Sequence, residues 1–147
     1  MDAIDRRILH ELGRDGRLSN TDLASRVGLS PSACSRRVAD LERSGTIQGY
    51  RAIIDPVARG GGFTAYVAVG LSRHGKAEQI AFEQAMAEAG AVRECSNVTG
   101  AIEYLLRVEV ADLEAYKHFH SEVLGELPQV STITSYIVMD SSKDDRA

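Results

Sequence analysis

The chain has 147 residues, 44% of them hydrophobic and none of them tryptophan, and carries a net charge of −4. That length suits one ordinary domain or two small ones. Asp2, Asp5, Arg6, Arg7 and Glu11 argue against a signal peptide at the front, and no stretch reaches the ~18 uncharged apolar residues of a membrane span, so a cytoplasmic protein is expected. Cys34 and Cys95 are isolated thiols without metal-ligand spacing, which fits a reducing compartment; neither a metal nor a cofactor is expected. The charge is uneven. Residues 1–60 hold ten arginines, no lysine and eight acids, a balance of +2, whereas residues 61–147 balance at −6. Because salt screens charge beyond about 8 Å, the front half decides any attraction to phosphate. A surplus of +2 is small, so affinity for nucleic acid would need several copies acting together.

The first helix is expected from Asp2 or Ala3 to Leu12, with Ile4, Ile8, Leu9 and Leu12 inward and Gly13 and Gly16 closing it. Ser19 then caps a second helix whose Leu23, Ala24 and Val27 form one stripe, and Gly28 ends it at a position suited to positive φ. Ser30 and Pro31 restart the chain as cap and first helical residue, and Cys34, Val38 and Leu41 are the inward stripe of a third helix stopped by Gly45. A small residue at the crossing, a glycine corner and an amphipathic second helix are the parts of a helix-turn-helix. Ser32, Ala33, Ser35, Arg36, Arg37 and Asp40 remain outward. Short hydroxyls followed by guanidiniums suit a major groove, where arginine reaches guanine edges or phosphates. The same spacing also occurs in helix pairs that never meet DNA.

Residues 46–56 follow, with Gly49 breaking a wing or small hairpin and Tyr50 to Ile54 of strand character. Arg59-Gly60-Gly61-Gly62 is expected to be a hinge, which sets domains at 1–58 and 63–140. From Phe63 to Ser72 the chain alternates with a period of two, then a helix runs from Lys76 to Ala89. Strands follow at 91–99 and 104–110, turning at Gly100. Asp112 caps a helix carrying Leu113, Tyr116, Phe119, Val123 and Leu124, and the last strand spans 130–139. The acidic tail from Asp140 to Ala147 is expected to fray.

The fold class is therefore α+β: three helices plus a wing, then a ferredoxin-like βαββαβ domain with both helices on one sheet face. The other face is expected to pack on a second copy of the chain through Leu71, Leu105, Leu106, Ile133 and Ile137. His118 and His120 point about 200° apart on a helix and cannot share a metal, while His118 and Glu122 suit a surface pair.

Taken together, Ile4-Asp5-Arg6-Arg7-Ile8-Leu9, Gly16-Arg17-Leu18-Ser19-Asn20, Gly28-Leu29-Ser30-Pro31-Ser32, Ile47-Gln48-Gly49-Tyr50, Val98-Thr99-Gly100, Tyr104-Leu105-Leu106-Arg107-Val108 and Leu127-Pro128 resemble the Lrp/AsnC (leucine-responsive, feast/famine) family of transcriptional regulators. The resemblance runs over nearly the whole chain. It implies a winged helix-turn-helix reader joined to an effector and oligomerisation domain, assembled as dimers, tetramers or octamers on double-stranded DNA and switched by an amino acid bound between dimers.

On these grounds the DNA-binding residues are Ser30 at the cap, Pro31, Ser32, Ser35 and Arg36 toward bases, and Arg51 toward phosphate, with Ser30 given no base contact. Arg37 either meets phosphate or locks the motif through Glu42 or Asp40. The resemblance assigns the effector to Thr99, Gly100, Ala101, Ile102, Glu103 and Tyr104, with Thr134 and Ser135 on the last strand. Ala101 stands where the family has an acid, Glu103 where it has aspartate, Ile133 where a hydroxyl is common, and Gln129 where glycine is usual. Each polar partner removed costs an amino-acid ligand about 1 to 3 kcal/mol, so weaker or altered amino-acid binding, a more apolar ligand, or none is expected. The alternatives are an effector-independent architectural DNA-binding protein and a small-molecule or enzymatic domain with an incidental helical front.

Overall fold

The computed structural model describes residues 1–144, which form two compact units, Met1–Ile53 and Ile54–Asp144. Of the acidic tail, residues 145–147 lie outside the described residues.

The first unit consists of α1 (Ala3–Arg14), α2 (Asn20–Val27) and α3 (Pro31–Arg43). Each start is held by the side chain that the sequence offers. Asp2 accepts from the amides of Ile4 and Asp5 while Asp5 accepts from the Asp2 amide, a reciprocal capping box. The Ser19 hydroxyl accepts from Asp22 N at 3.1 Å and the Ser30 hydroxyl from Ala33 N at 3.3 Å. Helix α1 runs through Gly13 to Arg14, two residues beyond its expected end. Gly28 takes φ 74° and ψ 37°, the left-handed conformation that a side chain would strain, and this turns the chain from α2 into α3. Ile8, Leu23, Ala24, Val27, Cys34 and Leu41 are buried together, with Ile4, Leu9, Leu12, Leu18, Leu29, Val38 and Ile47 packed around them. Full burial of each large aliphatic side chain contributes roughly 1.5–3 kcal/mol.

The expected strand at Tyr50–Ile54 does not form; residues 48–55 are irregular. A lone strand leaves its backbone groups unpaired, and no other described segment of this unit is extended beside it. Tyr50 nevertheless docks, its hydroxyl donating to Glu42 at 2.9 Å and its ring lying against Gly16.

In the second unit β1 (Phe63–Leu71), β2 (Val92–Asn97), β3 (Tyr104–Val110) and β4 (Val130–Ile137) form one antiparallel sheet in the order β2-β3-β1-β4. Helix α4 (Lys76–Glu88) and helix α5 (Leu113–His118) cover one face. Helix α5 continues as a π-helical turn over Phe119–Leu124, closed by Gly125 N donating to His120 O at 3.0 Å. That turn explains how Phe119 and Leu124, five residues apart, are both buried. A Cβ at Gly125 would lie 2.6 Å from the Ser121 carbonyl oxygen, so the turn requires glycine there.

Ala65, Val67, Val69, Leu71, Tyr104, Leu106 and Val108 form the core with Phe82, Met86, Tyr116, Phe119 and Leu124. The expectation for the open face is thereby corrected. Leu71 and Leu106 are core residues, Ile133 packs against them, and Ile137 lies opposite buried Ala65; of the five, Leu105 alone is on the open side. Strand alternation decides this, because Leu105 and Leu106 must face opposite ways. The open face carries Thr64, Tyr66, Ala68 and Gly70, Leu105, Arg107 and Glu109, and Thr132, Thr134 and Tyr136.

The glycine run does not hang free. Gly61 N donates to Pro56 O, Gly62 N donates to Val110 O, and Arg59 pairs with Glu109, fastening residues 56–62 to the second unit. Glu109 has 1% of its side chain exposed and is ringed by Arg59 at 3.4 Å, Arg93 at 3.3 Å and Arg107. A buried carboxylate needs such company.

Candidate nucleic-acid interface and effector turn

Helix α3 buries Cys34 and Leu41 against α1 and α2, and this forces its opposite side outward. Ser30, Pro31, Ser32, Ser35 and Arg36 are all exposed there. Ser30 is the cap, and its hydroxyl lies 3.3 Å from that of Ser32. The Pro31 carbonyl accepts from Asn20 Nδ2 at 2.7 Å, which ties the first turn of α3 to the start of α2. Arg36 makes no ion pair or hydrogen bond among the described residues, leaving its five donors available.

Arg37 is different. Its Nη1 donates to Asp2 Oδ2 and Asp5 Oδ1, each at 2.7 Å. The lock foreseen through Glu42 or Asp40 is thus made with α1 instead. Asp40 pairs with Arg43 and Glu42 receives the Tyr50 hydroxyl. The reciprocal cap bonds first, and the Arg37 guanidinium second, hold both aspartates below the ordinary carboxylate range; the same carboxylates raise Arg37. Arg51 is exposed in the irregular segment after α3.

In the second unit, Thr99, Gly100, Ala101, Ile102 and Glu103 form the turn between β2 and β3, with Gly100 at φ 126°. The turn is fastened by Val98 N donating to Glu103 O at 2.9 Å and Glu103 N to Val69 O at 3.2 Å. Tyr104 is fully buried on the helix side, its ring 4.6 Å from Phe82 and its hydroxyl donating to Glu83 at 2.7 Å. Burial, then that bond, push the phenol up to about 12. Thr134 and Ser135 point to opposite faces: Thr134 is exposed on the open side, while the Ser135 hydroxyl is bonded to that of Tyr116. The turn residues therefore stand together, while Tyr104 belongs to the core and the half-buried Ser135 turns to the same face.

Sequence reasoning missed the partners of Glu103. Its Oε2 accepts from Leu71 N at 2.6 Å, and its Oε1 lies 2.7 Å from His74 Nδ1. Neither partner is near in sequence, and only the β1–β3 pairing reveals them. The acids that hold Arg37 were visible as Asp2 and Asp5, three apart at a helix start, but not as its partners.

Residues 1–42 match the AsnC-type helix-turn-helix domain, and residues 64–147 match the Lrp/AsnC ligand binding domain. The chain belongs to the Lrp/AsnC family of transcriptional regulators. It is 41% identical to the leucine-responsive regulatory proteins of Klebsiella pneumoniae and Escherichia coli, over 97% of this chain and 87% of each relative. Among solved structures, a transcriptional regulator of Neisseria meningitidis in complex with L-Met superposes with a TM-score of 0.93 at 33% identity, covering 98% of this chain and 93% of that one. An AsnC family regulator of Agrobacterium tumefaciens gives 0.92 at 33% identity, covering 98% and 94%. As a Lrp/AsnC regulator, the chain joins a DNA-binding helix-turn-helix to a ligand-binding domain. Among the described residues no helix is long and apolar enough to cross a membrane.

Proposed function

We propose that this regulator reads double-stranded DNA with the exposed side of α3 and works in the cytoplasm as an assembly of its own chains, without catalysis. One observation carries the reading. Arg36 projects from a helix whose cap, first-turn carbonyl and middle are all fixed by Ser30, Asn20 and the Arg37 pairs, and it has no competing acid. A fixed helix with a free guanidinium is the arrangement that base-edge recognition requires. Ser32 and Ser35 beside it suit base or phosphate contacts, and Arg51 suits phosphate.

Self-association through the open sheet face supplies the affinity that the modest charge of one copy does not. Leu105 and Tyr136, 36% and 59% exposed, are its apolar points. In this reading an amino acid binds at the Thr99–Glu103 turn between copies, with Thr134 on the neighbouring strand; the Neisseria relative solved with L-Met supports that ligand class. Genome-wide footprinting with and without amino acids tests the whole. Discrete half-site arrays that change with an amino acid are expected. Continuous, ligand-insensitive coverage would favour the architectural alternative, and no footprint would reject DNA binding.

A further inference from the structure

The effector turn offers a ligand little negative charge. Between residues 99 and 104 Glu103 is the sole acid, and an α-amino acid's ammonium needs a carboxylate once removed from water. Yet both oxygens of Glu103 are already engaged. Oε2 holds the Leu71 amide, a backbone group fixed within β1, and Oε1 holds His74, with the glutamate side chain only 17% exposed. Each oxygen can accept a second donor, but with so little of the carboxylate exposed an incoming ammonium meets Oε1 beside His74 and competes with it.

His74 is the partner able to leave. It lies in the segment between β1 and α4, its side chain 78% exposed, and among the described residues Glu103 is its sole polar partner. That segment is anchored on its near side, where Ser72 N donates to Gln129 O at 2.8 Å, and it enters α4 at Gly75, whose cap position has no side-chain bond. The Nδ1–H can donate to a carboxylate whether or not the ring is charged, so the contact persists without protonation.

We propose that His74 is an internal stand-in for the effector's ammonium: it occupies Glu103 in the unliganded regulator and swings out when an amino acid binds. This rests on the reading of the Thr99–Glu103 turn as the effector site. The affinity for an amino acid is then set by competition within the chain, and the position of residues 73–75 reports occupancy.

Isothermal titration of the full-length protein with L-methionine tests this, using His74→Ala, His74→Lys and Glu103→Gln, with thermal melts as folding controls. His74→Ala removes the competitor and is expected to tighten binding by up to about fivefold, the range of an exposed charged contact. His74→Lys keeps a cation on Glu103 and is expected to weaken binding. In the Glu103→Gln background, His74→Ala is expected to change nothing, because the two act as one unit. Unchanged or weaker binding by His74→Ala, with wild-type binding intact, overturns the stand-in alone. No heat from wild type or His74→Ala with any of the twenty amino acids overturns the effector reading and the stand-in with it.

Discussion

Arg37 Nη1 lies 2.7 Å from Asp5 Oδ1, so the helix that presents Arg36 is fastened from its middle to the first turn of α1. Asp2 shares the same nitrogen, and both aspartates also cap α1. One cluster thus sets where α1 begins and how α3 lies across it. Two adjacent arginines divide the labour: Arg37 faces protein and Arg36 faces solvent.

This cluster makes the first unit sensitive to acid. Asp2 and Asp5 sit below their unfolded value near 4, so the stability they contribute is full above about pH 4 and is lost as pH falls through the folded values. Melting of the first unit between pH 7 and pH 3 is expected to show that loss. Arg37→Ala should shrink it without abolishing it, since the backbone cap bonds are the larger cause. An acid transition identical in wild type and Arg37→Ala would mean the pair is idle.

The open sheet face gives a second expectation. Leu105→Arg places a charge on the exposed side of β3, away from the core. It should leave the monomer folded while lowering the assembly state in ultracentrifugation, by about tenfold or more in dissociation constant if the buried leucine contributes 1.5–3 kcal/mol. Unaltered assembly would move the interface elsewhere.

The π-helical turn predicts an asymmetry between two glycines. Gly125→Ala would place a methyl 2.6 Å from Ser121 O and 3.3 Å from His120 O, both backbone atoms, and is expected to destabilise the second unit by about 1–3 kcal/mol. Gly90→Ala meets nothing within 4 Å and should be neutral. Denaturant midpoints compare the two directly.

Cys95 is exposed by residue yet its thiol is raised to about 11, first by burial and then by Glu83. Labelling by iodoacetamide at neutral pH, followed by peptide mass spectrometry, should therefore run at least about tenfold slower than for a free cysteine. Rapid modification would show that the thiol is not so placed.

Much of this was legible in the chain. The stripes at Leu23, Ala24 and Val27 and at Cys34 and Leu41, the caps at Ser19 and Ser30 and the corner at Gly28 each act within a few residues, so local chemistry declares them. The alternation of Phe63 to Leu71 likewise declared a strand. What escaped depends on tertiary register. Leu105 and Leu106 are equally apolar, and only the pairing of β3 with β1 assigns one to solvent and the other to the core. The same holds for Tyr104 and Ser135, whose side chains turn to the helix-covered face, and for His74, brought to Glu103 across 29 positions of sequence. The Tyr50–Ile54 segment has strand-forming residues but no partner in its own unit, and propensity alone does not supply one.

The proposed reading of DNA by α3 turns on Arg36 reaching base edges. Binding of wild type and Arg36→Ala to a footprinted operator and to a random duplex, by fluorescence anisotropy at fixed salt, tests it most directly. Arg36→Ala is expected to lose about 1–3 kcal/mol on the operator and far less on random DNA, whereas Arg51→Ala weakens both alike. Equal losses on the two duplexes for Arg36→Ala would contradict it.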